Sequence, residues 1–118
     1  MGTNYYVRLK DKEIHIGKSS CGWMFLFAPN PEHYDNTKAG INRFLKLHKN
    51  EFYDEYDRLV DIREFWNMVE SKKEGFTLLS YYIEESKIRI IPSYEWEGAK
   101  KEIITKEGLR ISDTAEFS

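Results

Sequence analysis

The sequence predicts the α+β fold class, with a mainly antiparallel sheet packed against two helices. Two observations carry this prediction. Segments rich in aromatic and β-branched residues, which are typical of strands, lie towards both ends of the chain. Two segments between them repeat apolar residues at helical spacing. Because the chain has only 118 residues, we expect residues 1–118 to form a single α+β domain.

Three short strands are predicted near the N-terminus, joined as an antiparallel meander. Residues 5–9 are aromatic and β-branched, and residues 13–16 alternate polar and apolar side chains. Residues 17–22 are small and polar, so they are predicted to form a loop. Residues 23–27 are apolar throughout, and we expect them to form a central strand that is buried on both faces.

Two helices are predicted in the middle of the chain. Asn36 or Thr37 can cap a helix that runs to about His48. The second helix has Asp61 as its N-cap, with Glu64 three residues later at the spacing of a capping box. Each segment carries an apolar stripe that suits packing on a sheet.

The last third of the chain is predicted to be β-structure. Residues 77–83 and 88–91 are rich in aromatic and β-branched residues, and we expect each to form a strand. Residues 102–105 and 109–111 flank a turn in which Gly108 suits a bulged hairpin.

The composition argues against several classes of protein. The formal net charge is −2, so no broad positive field is available for a nucleic-acid partner. A single cysteine excludes a disulfide framework and a multi-cysteine zinc site, and it favours a reducing intracellular compartment. No apolar stretch approaches the roughly 20 residues of a membrane span. We expect no metal and no cofactor.

The segment at residues 17–20, Gly-Lys-Ser-Ser, is similar to the end of a phosphate-binding loop. That motif requires a glycine where Lys12 stands, and a strand rather than a helix is predicted to follow, which excludes an NTPase loop. Lysine, serine and backbone N–H groups near His15 can still form an anion-accepting concavity. An ordinary hairpin loop accounts for the same residues, and both interpretations stay open.

Cys21 is a weaker candidate for catalysis. It lies near Lys18 and His15 in the sequence, and a nucleophilic thiol needs a nearby cation and an oriented base. No third residue that would orient the base is evident. A lone cysteine is more typically a small buried apolar residue.

Aromatic residues make up 15% of the chain, which is high for a small domain. Aromatic side chains dominate protein–protein hot spots, although they also fill cores. Tyr53, Tyr56, Tyr94 and Trp96 are flanked by acidic residues, so we expect them to be exposed and available to a protein partner. Their acidic neighbours argue against stacking on a nucleic-acid strand.

A family resemblance rests on several quoted segments. They are Met1-Gly2-Thr3-Asn4-Tyr5-Tyr6, His15-Ile16-Gly17-Lys18-Ser19-Ser20-Cys21-Gly22-Trp23, Asp54-Glu55-Tyr56 with Arg58, and Glu116-Phe117-Ser118. These segments resemble a group of small uncharacterised phage-encoded proteins that begin M-G-T-N-Y-Y, carry H-I-G-K-S-S-x-G-W and commonly end in E-F-S. The resemblance implies phage origin.

Many members of that group have a C-x-x-C pair where this chain has Lys10-Asp11-Lys12, so no metal role transfers. The resemblance draws attention to a set of candidate ligand-binding residues. They are His15, Lys18, Ser19, Ser20 and Trp23, with Asn4 and Tyr5 as neighbours.

Three functions follow as hypotheses. The first is a non-catalytic phage accessory protein in the cytoplasm of the infected host cell, which binds a host or defence-system protein. The second is a protein that binds or sequesters a small phosphorylated or nucleotide-like anion. Its His15, Lys18, Ser19 and Ser20 would hold the anion, and Trp23 or Tyr5 would stack on a ring. The third is a small hydrolase that uses Cys21 or His15. We also consider a homodimer, because small domains bury proportionally less surface alone.

Overall fold

The computed structural model describes residues 2–112, and within them the chain forms six strands and four helices. In chain order the elements are β1 (Gly2–Arg8), β2 (Glu13–Ser20), β3 (Leu26–Phe27), α1 (Lys38–Leu47), β4 (Phe52–Asp54), α2 (Ile62–Ser71), α3 (Leu78–Glu85), α4 (Ser93–Lys100), β5 (Ile103–Ile104) and β6 (Arg110–Ile111). Met1 and the Glu116-Phe117-Ser118 ending lie outside the described residues. The α+β class is confirmed, but the expectation of two helices was wrong.

The strands form one mixed sheet in the order β4-β1-β2-β3-β6-β5. Every neighbouring pair is antiparallel except β3 and β6, which run parallel. A parallel pair needs a long crossover, and here the connection contains all four helices and two strands. Strand β6, near the C-terminal end of the described residues, therefore lies beside β3, which belongs to the N-terminal part of the chain.

Residues 17–20, predicted to be a loop, are instead the last four residues of β2. The register of β1 and β2 shifts at one point, so that Ile16 is an extra residue between the pairs Tyr5–Gly17 and Tyr6–His15. Gly17 lies beneath the Phe25 ring, and a Cβ at this position would be 2.5 Å from Phe25 Cε2. Only glycine lets β3 and Phe25 approach β2 this closely.

The register defines two faces of the sheet. Directly paired residues place their side chains on the same face, and successive residues alternate between faces. One row of paired residues crosses the sheet through Tyr5, Gly17, Phe27, Ile111 and Ile103. The neighbouring row, on the opposite face, runs through Asn4, Lys18, Leu26, Arg110 and Ile104.

The main core lies on the first of these faces. Helices α1 and α2 cover it with Ile41, Phe44 and Leu45 from α1 and with Phe65 and Val69 from α2. These side chains pack against the buried residues of the strands, Val7, Ile14, Ile16, Phe25, Phe27, Phe52 and Ile111 among them. We call this the core face and the opposite one the outer face.

The two helix starts predicted from sequence are confirmed. Thr37 caps α1, since its side chain accepts a hydrogen bond from the Gly40 backbone N–H at 3.0 Å. Asp61 caps α2 in the same way, accepting from the Glu64 N–H at 3.0 Å. Both caps satisfy backbone donors that the first turn of a helix leaves unpaired.

The strands predicted at residues 77–83 and 88–91 were wrong. The first segment is helix α3, which begins with Thr77 as N-cap and a reciprocal pair of hydrogen bonds between Thr77 and Ser80. Residues 88–91 pair with no strand of the described chain and connect α3 to α4. The predicted hairpin is confirmed, because β5 pairs with β6 and Gly108 adopts φ +83° in the turn between them.

The expected central strand over residues 23–27 contains only its last two residues. Trp23 instead forms an isolated bridge with Phe76, and the Met24 N–H donates to the Phe76 carbonyl at 3.0 Å. This bridge brings the start of α3 onto the outer face. No helix within residues 2–112 is both long enough and apolar enough to cross a membrane.

Candidate functional site

The outer face carries a cleft of about 180 Å³ beside the paired strands β3 and β6. It is lined by Lys18, Ser20, Trp23, Leu26, Leu78 and Arg110. Lys18, Leu26 and Arg110 are consecutive members of the outer row, so the sheet itself positions them side by side. Trp23 and Leu78 border the cleft from outside the sheet.

Arg110 is the most constrained side chain of this cleft. The residue is only 5% exposed. Its Nη1 donates to the Met24 carbonyl at 3.0 Å, and its guanidinium carbon lies 5.1 Å from the centroid of the Trp23 ring. Among residues 2–112, its buried Nε has no hydrogen-bond partner. A buried cation is thus held in place with one donor unused.

Glu102 anchors the guanidinium from the other side. Its Oε2 lies 2.8 Å from Arg110 Nη2, in a pair that is almost fully buried. The two charged groups form an ion pair, but their angles do not suit a hydrogen bond, and within the described chain Glu102 Oε2 has no hydrogen-bond partner. The other oxygen, Oε1, accepts from the Leu78 N–H at 3.0 Å. Glu102 therefore joins Arg110 to the first turn of α3.

Trp23 forms a packed wall of the cleft. Besides Arg110, its ring contacts Phe76 at 5.9 Å and Tyr81 at 5.1 Å between centroids. Trp23 is half-buried and lines the cleft, so the stacking of its ring on a ligand stays a prediction. On one side, the Trp23 ring shields the Arg110 guanidinium from water.

Lys18 and Ser20 belong to the same strand and point to the same face as Arg110. Lys72, at the end of α2, donates from its ammonium to the Ser20 carbonyl at 2.7 Å. This bond fixes the end of β2 where it borders the cleft. Lys18 and Arg110 therefore line the cleft together with Ser20, and Lys72 contacts the Ser20 backbone.

His15 and Asn4 lie beside the cleft on the outer face but do not line it. His15 Nε2 and Asn4 Oδ1 are 2.9 Å apart, and the Asn4 amide donates to Glu55 at 3.3 Å. The His15 ring also contacts Tyr6, with centroids 5.1 Å apart. Burial, together with the positive charge of Lys18, lowers the pKa of His15 below its usual range.

Tyr5 and Ser19 belong to the opposite side of the sheet. The Tyr5 ring packs in the core against Phe25, Phe52 and Phe65. Burial raises the pKa of Tyr5, and the charge of Asp54 adds to the increase. The sheet therefore divides the seven candidate ligand-binding residues. Lys18, Ser20 and Trp23 line the cleft, Asn4 and His15 lie beside it, and Tyr5 and Ser19 lie across the sheet from it.

The four candidate protein-contact aromatics fall into two separate pairs. Tyr53 and Tyr56 lie at the β4 edge, where they contact the guanidinium groups of neighbouring arginines. Tyr94 and Trp96 lie on α4, the helix that precedes the opposite edge strand β5 in the chain. Since neighbouring strands are about 4.8 Å apart, the two edges of the sheet are separated by roughly 24 Å. Tyr94 is exposed, whereas Trp96 is half-buried against Tyr82.

The structure gives the catalytic candidates little support from geometry. Cys21 is exposed in the turn after β2, and His15 is engaged with Asn4. His33 packs on Phe44, and His48 contacts Glu51 at 2.9 Å. Within residues 2–112, no group of three or more His, Cys, Asp or Glu side chains has the arrangement of a metal site.

Sequence reasoning missed Arg110, Glu102 and Leu78. The one signal for Arg110 is a cation at the centre of Leu109-Arg110-Ile111, a short strand whose other side chains are apolar. A charged residue is rarely buried without a partner, so this position could have prompted a search for a carboxylate. Nothing in the sequence identifies Glu102 as that carboxylate.

Comparison with known proteins identifies no relative, since no protein-family model, curated protein or solved structure matches the chain.

Proposed function

We propose that the protein acts by binding another protein. In this proposal it is a non-catalytic phage accessory protein that takes a host or defence-system protein as its partner in the cytoplasm of the infected cell. The phage setting is supported by the resemblance of the M-G-T-N-Y-Y and H-I-G-K-S-S-x-G-W segments. The binding role is supported by one structural observation, a concentration of exposed apolar side chains on α3, on α4 and on the segment between them.

This surface, which we call the hairpin surface, consists of large side chains that water reaches. They lie on α3, on α4 and on the segment that joins these two helices, which together we call the hairpin: Leu79, Ile83, Ile88, Ile90 and Tyr94. Ile90 is 93% exposed and Ile88 is 80% exposed, although isoleucine is among the residues most often buried in proteins. Single exposed apolar residues are common, but a concentration of them in one segment indicates an interaction site.

The charged side chains of the hairpin pair with one another. Lys87 pairs with Glu84, Arg89 with Glu85 and Glu95, and Lys100 with Glu97. Such surface pairs leave little net charge to attract a partner. We therefore expect the contact to be mainly apolar, with an association rate that depends weakly on salt.

The matching partner surface is an apolar patch or groove with few charges at its centre. Ile88, Ile90 and Tyr94 are the expected anchors, since large apolar and aromatic side chains near the centre of an interface contribute most of its energy. Tyr94 is one of the four aromatics selected from the sequence. Tyr53 and Tyr56, at the other edge of the sheet, are not part of this contact.

The test is affinity capture from lysate of the bacterial host, followed by binding measurements with the purified captured protein. An Ile90→Glu variant is expected to bind at least about tenfold more weakly, because the glutamate would be desolvated in the apolar contact. Leu47→Glu is the matched control, since Leu47 is 76% exposed but lies on α1. Circular dichroism checks that both variants keep the native helix content.

Two results would contradict the proposal. One is a captured protein that binds the Ile90→Glu and wild-type proteins equally well. The other is a dimer in sedimentation experiments that Ile90→Glu dissociates, because a second copy would then occupy the hairpin surface in place of a host protein.

A further inference from the structure

We propose that the outer-face cleft binds the phosphate group of a small phosphorylated molecule, using Lys18, Ser20 and Arg110. This inference concerns a different surface from the hairpin surface and does not depend on protein binding. The charges, the unused donor and the size of the cleft support it.

The charges of the cleft favour an anion. Lys18 and Arg110 both line it, and among residues 2–112 the carboxylate that pairs with either of them is that of Glu102, on Arg110. The cleft therefore retains a positive formal charge after that pair is counted. Part of its lining is apolar, which weakens the screening of this charge by water.

Arg110 also has hydrogen-bonding capacity that its neighbours do not use. A buried donor without a partner is costly, and native structures retain few of them. The Arg110 Nε–H is such a donor within residues 2–112, and Arg110 is one of the residues that line the cleft. An oxyanion in the cleft would let the guanidinium turn slightly and donate from this group while it keeps its contact with Glu102.

The donor set suits a tetrahedral anion with several acceptor oxygens. Lys18 offers an ammonium and Ser20 a hydroxyl from β2, and Arg110 offers a guanidinium from β6. Phosphate presents three oxygens to such a site, and hydrogen bonds between charged groups are the stronger kind. A planar carboxylate carries one negative charge and two oxygens, so it matches three donors from different directions less well than phosphate does.

The size limits what the phosphate is attached to. About 180 Å³ is close to the roughly 150 Å³ cavity that holds one benzene ring, and it is below the range of about 300–1,000 Å³ for larger ligands. The cleft fits a phosphate with a small organic group, which would contact Leu26 and Leu78. A whole nucleotide exceeds this volume, so only part of such a ligand would lie inside the cleft.

The experiment is an NMR titration of the full chain at constant ionic strength, with inorganic phosphate, phenyl phosphate and benzoate as probes. We expect saturable shifts of the Arg110 Nε–H signal and of the Lys18 amide signal with both phosphates. Benzoate is expected to bind at least about tenfold more weakly, because its carboxylate makes fewer charged hydrogen bonds.

Two variants and a control separate a site from general charge attraction. Lys18→Gln is expected to weaken phenyl phosphate binding by at least about tenfold. Arg110→Lys keeps the charge beside Glu102 but removes the forked donor, and the same loss is expected. Lys46→Gln removes an exposed charge on α1 and is expected to change affinity by less than about twofold.

Three outcomes would overturn the inference. They are the absence of saturable shifts at Arg110 and Lys18, equal losses for Lys18→Gln and Lys46→Gln, and binding of benzoate as tight as that of phenyl phosphate. If Arg110→Lys fails to fold, the comparison of Lys18→Gln with Lys46→Gln still decides. The Ile90→Glu variant is expected to bind phosphate normally, so failure of one proposal does not imply failure of the other.

Discussion

At the scale of single residues, His15 couples the outer face to pH. Its pKa is lowered in the folded protein, chiefly by burial, so the folded state binds a proton less readily than the unfolded state. The free energy of unfolding therefore decreases as the pH falls through the unfolded value of about 6.5 towards the lower folded value.

We predict that His15→Gln removes this part of the pH dependence. Urea denaturation at several values between about pH 7 and pH 5 measures it, and one titrating group contributes at most about 1.4 kcal/mol per pH unit. His33→Gln is the control, because it keeps His15 and should keep the slope. An unchanged slope in His15→Gln would contradict the assignment.

Asp54 shows why charged residues are the hardest to place from sequence. The acidic sequence Asp54-Glu55-Tyr56-Asp57 is typical of a solvated loop, yet Asp54 is buried. Burial alone would raise the pKa of Asp54, but hydrogen bonds from the Tyr56 and Arg58 backbone N–H groups and from the Arg58 side chain lower it. The carboxylate organises its own turn, and that role depends on a loop conformation that composition does not specify.

At the scale of secondary-structure elements, local signals predicted the helices with strong caps. Asp61 and Thr37 were identified because a side-chain oxygen before an apolar stripe satisfies the free N–H groups of the first turn. The signal is short-range, so it does not depend on the rest of the fold. The same reasoning could have found α3, whose half-buried residues Leu78, Tyr81, Tyr82 and Glu85 follow helical spacing.

We predict that Asp61→Ala lowers the free energy of unfolding by about 1 kcal/mol, because the Glu64 N–H loses its acceptor. Asp61→Asn is the matched control, since asparagine caps helices about as well as aspartate. Chemical denaturation of the three proteins measures the difference. A loss in Asp61→Asn equal to that in Asp61→Ala would show that charge, and not the cap, is responsible.

The wrong strand predictions for residues 77–83 and 88–91 have a physical reason. Isoleucine, leucine and tyrosine favour strands when they pack on a half-buried pleated surface, and this preference depends on context. Here, after the Thr77 cap, the first segment coils as a helix, and the side chains of Ile88 and Ile90 stay in water. The strand propensity of these residues therefore reflects their apolar side chains, and it does not show whether those side chains are buried or exposed.

At the scale of the whole molecule, the two pairs of helices differ in how firmly they are attached. Helices α1 and α2 contribute five side chains to the core cluster, whereas none of the described residues of α3 is buried and α4 buries only Ala99. Helix α3 is joined to the sheet through the Trp23–Phe76 bridge and Glu102. Burial of apolar area stabilises elements, so the hairpin is the weaker part.

We predict that the backbone amides of α3 and α4 exchange with solvent deuterium through openings of lower free energy than those of α1 and α2. Native-state hydrogen exchange, followed by NMR at several urea concentrations, measures both sets. Amides of Leu45 and Phe65 are expected to exchange only on global unfolding. Equal protection of the Tyr82 amide would contradict the prediction.

Only part of the candidate site could be predicted from the sequence, because some of its residues come together only through pairing between distant segments. Lys18, Ser20 and Trp23 lie within one segment that a motif comparison could select. Arg110 and Glu102 reach them only through the parallel pairing of β3 with β6. Pairings between distant segments leave no local pattern, so the contribution of Arg110 and Glu102 to the cleft could not be predicted.

That parallel pairing also constrains how the molecule is made. The hydrogen bond from Arg110 to the Met24 carbonyl joins residues 86 positions apart. A ribosome must therefore release nearly all of the described chain before the central strands can meet, and until then β3 exposes an unpaired backbone edge. Loop-closure entropy makes this late docking slow compared with formation of the β1–β2 hairpin. In a nascent chain the β1–β2 hairpin would thus form while the last strand pair is still being synthesised.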